Sequence, residues 1–107
     1  MERGDLVVAA LPGDYGKPRP ALVVQADVYS DTMAVVVLPM TSEVGGPPGP
    51  RIRIEPSEAN GLRIPSRVMV DKPGTILRAK LGGRIGKLSS SEMTAVDRAL
   101  ALFLGFA

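Results

Sequence analysis

Three apolar runs dominate the first part of the chain. Asp5–Leu11 (DLVVAAL), Ala21–Gln25 (ALVVQ) and Met33–Met40 (MAVVVLPM) are each of strand length and bounded by turn formers, so each predicts a buried β-strand. Pro12-Gly13-Asp14-Tyr15-Gly16 ends the first run and predicts a hairpin-type return, and Arg19-Pro20 forces an extended entry into the second. Polar Ala26–Thr32 connects the second run to the third. Pro39 predicts an edge position near the end of the third, because proline has no N–H to give a ladder. Gly45–Pro50 is an unbroken series of glycine and proline and predicts an exposed, mobile flap. Arg51–Glu55 (RIRIE) alternates basic and apolar at period two, which predicts a strand whose wet face carries Arg51 and Arg53. Asn60-Gly61 is a turn signal. Ser66–Asp71 (SRVMVD) predicts a fifth strand that Lys72-Pro73-Gly74 interrupts and Thr75–Leu77 resumes, and Arg84–Leu88 predicts a last short one.

Ser89 and Glu92, three apart, form a capping box ahead of Met93, Val96, Leu100, Phe103 and Leu104, an apolar stripe at helical spacing that Gly105 ends. The stripe predicts packing against the sheet, and Ala95, Ala99 and Leu102 widen it enough for part to meet a partner subunit. Short strands, turn clusters and one terminal helix predict a mainly β (α+β) fold: a small, strongly curved antiparallel sheet or partly open barrel with the helix packed on it. No repeat or linker divides residues 1–107, so one domain is expected.

Composition narrows the chemistry. The 107 residues include no His, Cys or Trp, which excludes Cys/His zinc sites, thiol nucleophiles, disulfides and Ser-His-Asp triads. Acid-base work falls to carboxylates, Lys, Arg, Tyr or hydroxyls, and metal binding to carboxylates alone. With 45% apolar but only 4% aromatic residues, the core must be Val, Leu, Ile, Ala and Met. There is no leader-like start and no run of membrane-spanning length, so the chain reads as a soluble, cytoplasmic protein without a membrane partner. Its net charge of +2 averages an acidic first half and a basic second half. Between Arg63 and Lys87 seven basic side chains stand against Asp71 alone, a density that points to a polyanionic partner.

Five blocks then occur in a meaningful order: Arg3-Gly4-Asp5; Lys17-Pro18-Arg19-Pro20-Ala21-Leu22-Val23; Pro39-Met40-Thr41; Ser66–Asp71 with Pro73-Gly74-Thr75-Ile76; and Ile85-Gly86-Lys87-Leu88-Ser89 leading into Met93 and Ala95–Leu104. Together they resemble the MazF/PemK family of toxin endoribonucleases, over nearly the whole chain. The resemblance implies an SH3-like barrel of the CcdB/MazF type, of about five to seven antiparallel strands with a C-terminal helix. It also implies a homodimer, and a sequence-specific activity that cleaves single-stranded RNA at short recognition sequences, without cofactor or metal, to 2′,3′-cyclic phosphate and 5′-hydroxyl ends. A cognate acidic, partly disordered antitoxin is the implied inhibitor.

The family's catalytic pair falls on Arg19 and Thr41, with Ser42 a phosphate ligand. Where relatives carry a first-loop His, this chain offers Asp14 and Tyr15; Gly74 and Met69 stand where relatives carry Arg. RNA binding is therefore expected to rest on Arg51, Arg53, Arg67, Arg78 and Lys80, with Asp71 either a substrate ligand or a cross-strand partner of Arg67 or Lys72. Arg19 suits the chemistry, since its fork can hold two phosphate oxygens while its high pKa makes it a poor base. The alternative is a non-catalytic protein on the same fold, either a CcdB-like gyrase-binding toxin or a degenerate member that only binds an antitoxin.

Overall fold

The apolar runs become strands because most of them are buried on both faces. A computed structural model describes residues 1–12, 17–42 and 49–107. The core of the expected hairpin return, residues 13–16 with Asp14 and Tyr15, and most of the expected flap, residues 43–48, lie outside the described residues. Strands β1 (Asp5–Ala9), β2 (Arg19–Val23), β3 (Ala34–Thr41), β4 (Arg51–Ile54), β5 (Ser66–Met69), β6 (Gly74–Leu77) and β7 (Arg84–Lys87) precede a single α-helix, α1 (Ser90–Leu104). They form a seven-stranded antiparallel sheet in the order β4-β5-β3-β2-β1-β7, with β6 also on β3.

Leu6, Leu22, Leu38, Met40, Val68 and Val96 pack in one cluster, the last bringing in α1. Their strand neighbours Val7, Ala21, Val23, Val35, Val37 and Ile76 form a second cluster on the opposite face. A strand feeding both clusters cannot alternate apolar with polar, which is why DLVVA and AVVVL read as unbroken apolar runs. β4 has one wet face and alternates as expected: Ile54 is buried and Arg53 exposed.

The expected edge position of Pro39 is not what forms, because β3 lies inside the sheet, with β2 on one side and β5 and β6 on the other. The N–H and C=O of Val36 both turn toward β2, bonding Gln25 Oε1 and Val24 N. By strand alternation the backbone of residue 39 turns to the opposite side. There β3 changes partner: Val37 pairs with Gly74 of β6, and Met40 with Val68 of β5. β3 advances three residues between those pairs while the other strand covers six, so β6 does resume β5 after a three-residue excess. The missing N–H of Pro39 falls in that break.

Strand limits shift for similar reasons. Pro20 lies inside β2, opposite Val8, whose N–H and C=O turn away to Gly83 and Gly82, so no ladder bond to β1 is lost. β2 stops before Gln25 because the Gln25 side chain takes over as acceptor for Val36. The sheet curls until β7 touches the β4–β5 loop, where the Lys87 N–H donates to the Ala59 carbonyl at 2.9 Å.

α1 forms as its caps dictate. Ser89 Oγ accepts from Glu92 N–H, Glu92 reaches back to Ser89 N–H, and Gly105 ends the helix at φ 85°. The apolar stripe is used only in part: Val96 is buried and Met93, Ala99 and Leu100 pack on the core, but Phe103 and Leu104 are exposed beside Leu102 (65%) and Phe106 (81%). No helix among the described residues is long and apolar enough to cross a membrane.

Asp5 ties the start of the sheet to its edge. Its buried carboxylate accepts the Glu2 N–H at 2.7 Å and Arg84 Nε at 3.1 Å. Burial alone raises its pKa, but these donors and nearby Lys87 outweigh it and hold the group below the ordinary value of 3.8. A carboxylate with a lower pKa folded than unfolded contributes stability in full above its unfolded pKa, and loses it as pH falls through the folded value. Asp5→Asn is therefore expected to cost about 1–3 kcal/mol at pH 7. Urea unfolding should also show the variant losing less stability than the parent when pH is lowered from 6 to 3.

Candidate active site

The β2–β3 ladder pairs Ala21 with Pro39, and the same register continued two residues sets Arg19 opposite Thr41. Thr41 pairs in turn with Arg67 on β5, and Arg67 with Arg53 on β4. Directly opposed residues share a face, so Arg19, Thr41, Arg67 and Arg53 form one row across four strands. It is the face of Ala21, Val23, Val35 and Val37: the second core surface runs out of apolar residues at this end and continues as guanidinium groups around one hydroxyl. Thr41 is 8% exposed and Arg19 and Arg67 are half-buried, while Ser42 is exposed. Arg67 stands opposite Arg53, whose Nε lies 2.6 Å from Glu55 Oε1.

Two cavities meet at the pair, and both Arg19 and Thr41 line each of them. One, of about 520 Å3, includes Met40, Ser42, Ser66 and the loop residues Leu62, Arg63 and Ile64. The other, of about 610 Å3, includes Pro39, Arg51, Met69, Lys72 and Thr75. Met40 and Ser66 alternate with Pro39 and Met69 along their strands, so the cavities open on opposite faces, and the strand-end pair is reached from both. An anion held by the Arg19 fork and the Thr41 hydroxyl, with Ser42 beside them, has room on either side. Among the described residues no three acidic side chains come together as a metal-binding set.

Asp71 meets neither Arg67 nor Lys72 in an ion pair. Its carboxylate takes Arg51, with Nε–Oδ1 at 3.1 Å and Nη2–Oδ2 at 3.3 Å, a bidentate grip that fixes Arg51 at the wall of the second cavity. The hydrogen bonds from Arg51 hold the Asp71 carboxyl below its ordinary value against partial burial. Arg78 and Lys80 line neither cavity. Arg78 bonds Thr32 and Tyr29 beside the start of β3, roughly 23 Å along the strand from Thr41 at about 3.3 Å per residue.

The basic segment is thus divided by the fold. Arg84 pairs with Asp5 and Lys87 with Glu2, whereas Arg63 lines the first cavity, Lys72 lines the second and Arg67 stands opposite Thr41. Lys17, Arg63 and Lys72 were not singled out as site residues from sequence. The available signals were Lys17 in the same tetrapeptide as Arg19, Arg63 just after the Asn60-Gly61 turn, and Lys72 in the interruption between β5 and β6.

The chain is similar to known proteins over nearly all of its length. A profile of the family described as PemK-like, MazF-like toxin of type II toxin-antitoxin system matches residues 2–104. A protein of Mycolicibacterium smegmatis described as probable endoribonuclease MazF is 46% identical over 108 residues, covering 100% of this chain and 99% of the relative. Among solved structures, Mycobacterium tuberculosis toxin MazF-mt6 superimposes with a TM-score of 0.80 at 29% identity, over 96% of this chain and 98% of that one. A mycobacterial endoribonuclease in complex with its cognate antitoxin shares the fold, with a TM-score of 0.83 at 23% identity, over 100% of this chain and 97% of that one.

The Arg51–Asp71 pair is about a quarter exposed on each side, so screening keeps its contribution small. Asp71→Ala is expected to cost up to about 1 kcal/mol at pH 7 and low salt. The cost should shrink in 0.5 M NaCl and vanish as pH falls below the folded pKa of Asp71, as read from urea midpoints.

Proposed function

The chain belongs to the PemK-like, MazF-like toxin family of type II toxin-antitoxin systems, and on that premise we propose that it is a cytoplasmic endoribonuclease that cuts single-stranded RNA without a metal ion. The observation that carries this reading is the cross-strand placement of Arg19 against Thr41, at the junction of two cavities and at the head of a cationic row. In the reaction the ribose 2′-oxygen bonds to the adjacent phosphorus, its proton leaves, the bond to the 5′-oxygen breaks and that oxygen takes up a proton. The products are a 2′,3′-cyclic phosphate and a 5′-hydroxyl.

Arg19 stabilises the charge that gathers on the non-bridging oxygens as the phosphorus becomes five-coordinate. Thr41, on the rigid end of β3, and Ser42 beyond it orient the phosphate for in-line attack. Arg53 and Arg67 draw the flanking backbone to the row, and Arg51, positioned by Asp71, does the same in the second cavity. A cognate antitoxin with an acidic, partly disordered tail would compete for these cations. The apolar end of α1, with Leu102, Phe103, Leu104 and Phe106 exposed, supports a homodimer as the working form.

Purified protein is expected to cut single-stranded RNA in the presence of EDTA. Arg19→Ala and Thr41→Ala should each lower the rate by about a hundredfold or more with unchanged circular dichroism and thermal midpoint. Full cleavage by either variant overturns the catalytic pair, and loss of cleavage in EDTA overturns the metal-free reaction. A gyrase supercoiling assay beside it tests the CcdB-like alternative, and no inhibition is expected.

A further inference from the structure

The departing 5′-oxygen needs a proton, and the chain has no imidazole to give it one. Resting on the endoribonuclease reading, we propose that Lys72 supplies that proton and is a further catalytic residue of the reaction. Among the described residues the ionisable side chains that line the two cavities are Lys17, Arg19 and Arg63 in the first and Arg19, Arg51 and Lys72 in the second, with no carboxylate or tyrosine beside them. A guanidinium keeps its protons in a protein, whereas an ammonium can hand one over. Each cavity therefore holds one proton donor. In-line displacement sets the entering 2′-oxygen and the leaving 5′-oxygen on opposite sides of the phosphorus, and the cavities lie on opposite faces of the Arg19–Thr41 pair. One of the two lysines accordingly stands on the leaving side.

Lys72 is the one that the fold fixes in place. A tight turn returns the chain after β5, closed by the Lys72 N–H on the Met69 carbonyl at 3.0 Å, and Pro73 then holds the Lys72 backbone extended. Asp71, inside the turn, is anchored to Arg51 at 3.1 and 3.3 Å. That grip has two effects beyond rigidity. It commits the adjacent carboxylate to Arg51, so that among the described residues no ion pair holds the Lys72 ammonium back. It also sets a fixed guanidinium in the same cavity, ready to share the charge of the departing oxygen. Lys17 lies ahead of β2, outside the sheet. In the step itself the 2′-oxygen bonds to phosphorus and its proton passes to water. The bond from phosphorus to the 5′-oxygen breaks with its electron pair on oxygen, and that oxygen takes a proton from Lys72 Nζ. The amine, exposed at the surface, then recovers a proton from solvent.

Sulfur in place of the leaving 5′-oxygen gives the test, because a thiolate departs without being protonated. The linkage that the parent cuts is prepared in both forms, and single-turnover rates are measured in EDTA for parent, Lys72→Ala, Lys72→Arg and Lys17→Ala, with thermal midpoints reporting folding. Both Lys72 variants are expected to cut the oxygen linkage about a hundredfold more slowly and the sulfur linkage at nearly the parental rate. Lys72→Arg keeps the charge and loses the transferable proton, so it separates donation from simple attraction of the RNA backbone. Lys17→Ala should change the two rates by equal factors. Unslowed cutting of the oxygen linkage by either Lys72 variant, equal slowing of both linkages by Lys72→Ala, or slowing of the oxygen linkage alone by Lys17→Ala overturns the assignment while leaving the ribonuclease reading in place. A parent protein that cuts no RNA overturns that reading and the assignment with it.

Discussion

The constraint on which the rest depends is a proline in the middle of the sheet. β3 is hydrogen-bonded on both sides, and Pro39 can give nothing to the side where β5 and β6 lie. The ladder has to break there, and the partner strand makes the break with residues that pair with nothing on β3. Among them are Asp71 and Lys72. Asp71 then turns back to hold Arg51, and Lys72 reaches the cavity at the foot of Thr41. A backbone defect two residues before the hydroxyl thus gathers a cation and a clamped guanidinium around it.

How far the sequence revealed this depends on whether the controlling interaction is local. The capping box of α1 and its glycine stop involve residues within one or two turns, so Ser89, Glu92 and Gly105 announced the helix almost to the residue. The apolar runs announced the strands, with limits displaced by one to two residues wherever a distant partner decides the end, as Val36 does at Gln25. Pro39 misled because proline in a strand speaks of an absent N–H and not of which neighbour would have received it. Sequence order likewise grouped Arg78 and Lys80 with Arg67, although the chain turns between them and leaves Arg78 at the far end of β3. Arg19 and Thr41 could be named only through the block pattern. Their meeting is a matter of register between two strands, which neither residue carries by itself.

The site is economical in its chemistry. With no imidazole or thiol in the chain, the described structure assembles guanidinium groups and hydroxyls at strand ends, where a rigid ladder fixes their spacing. Its two core faces contribute differently: the face beneath α1 extends toward the cavity lined by Met40, Leu62 and Ser66, and the opposite face extends into the cationic row. Double-sided burial, which first explained why the strands read as continuous apolar runs, is therefore also what gives the strand ends two dissimilar approaches.

Arg67 and Arg53 stand opposed in the row. That juxtaposition exists only when β4 and β5 are paired, so an anion held by both guanidinium groups binds the native chain in preference to the unfolded one. By mass action such a ligand raises the free energy of unfolding in proportion to the logarithm of its concentration over its dissociation constant. Occupancy and folding are then coupled: any polyanion that seats on the cationic row acts as the thermodynamic guardian of the fold.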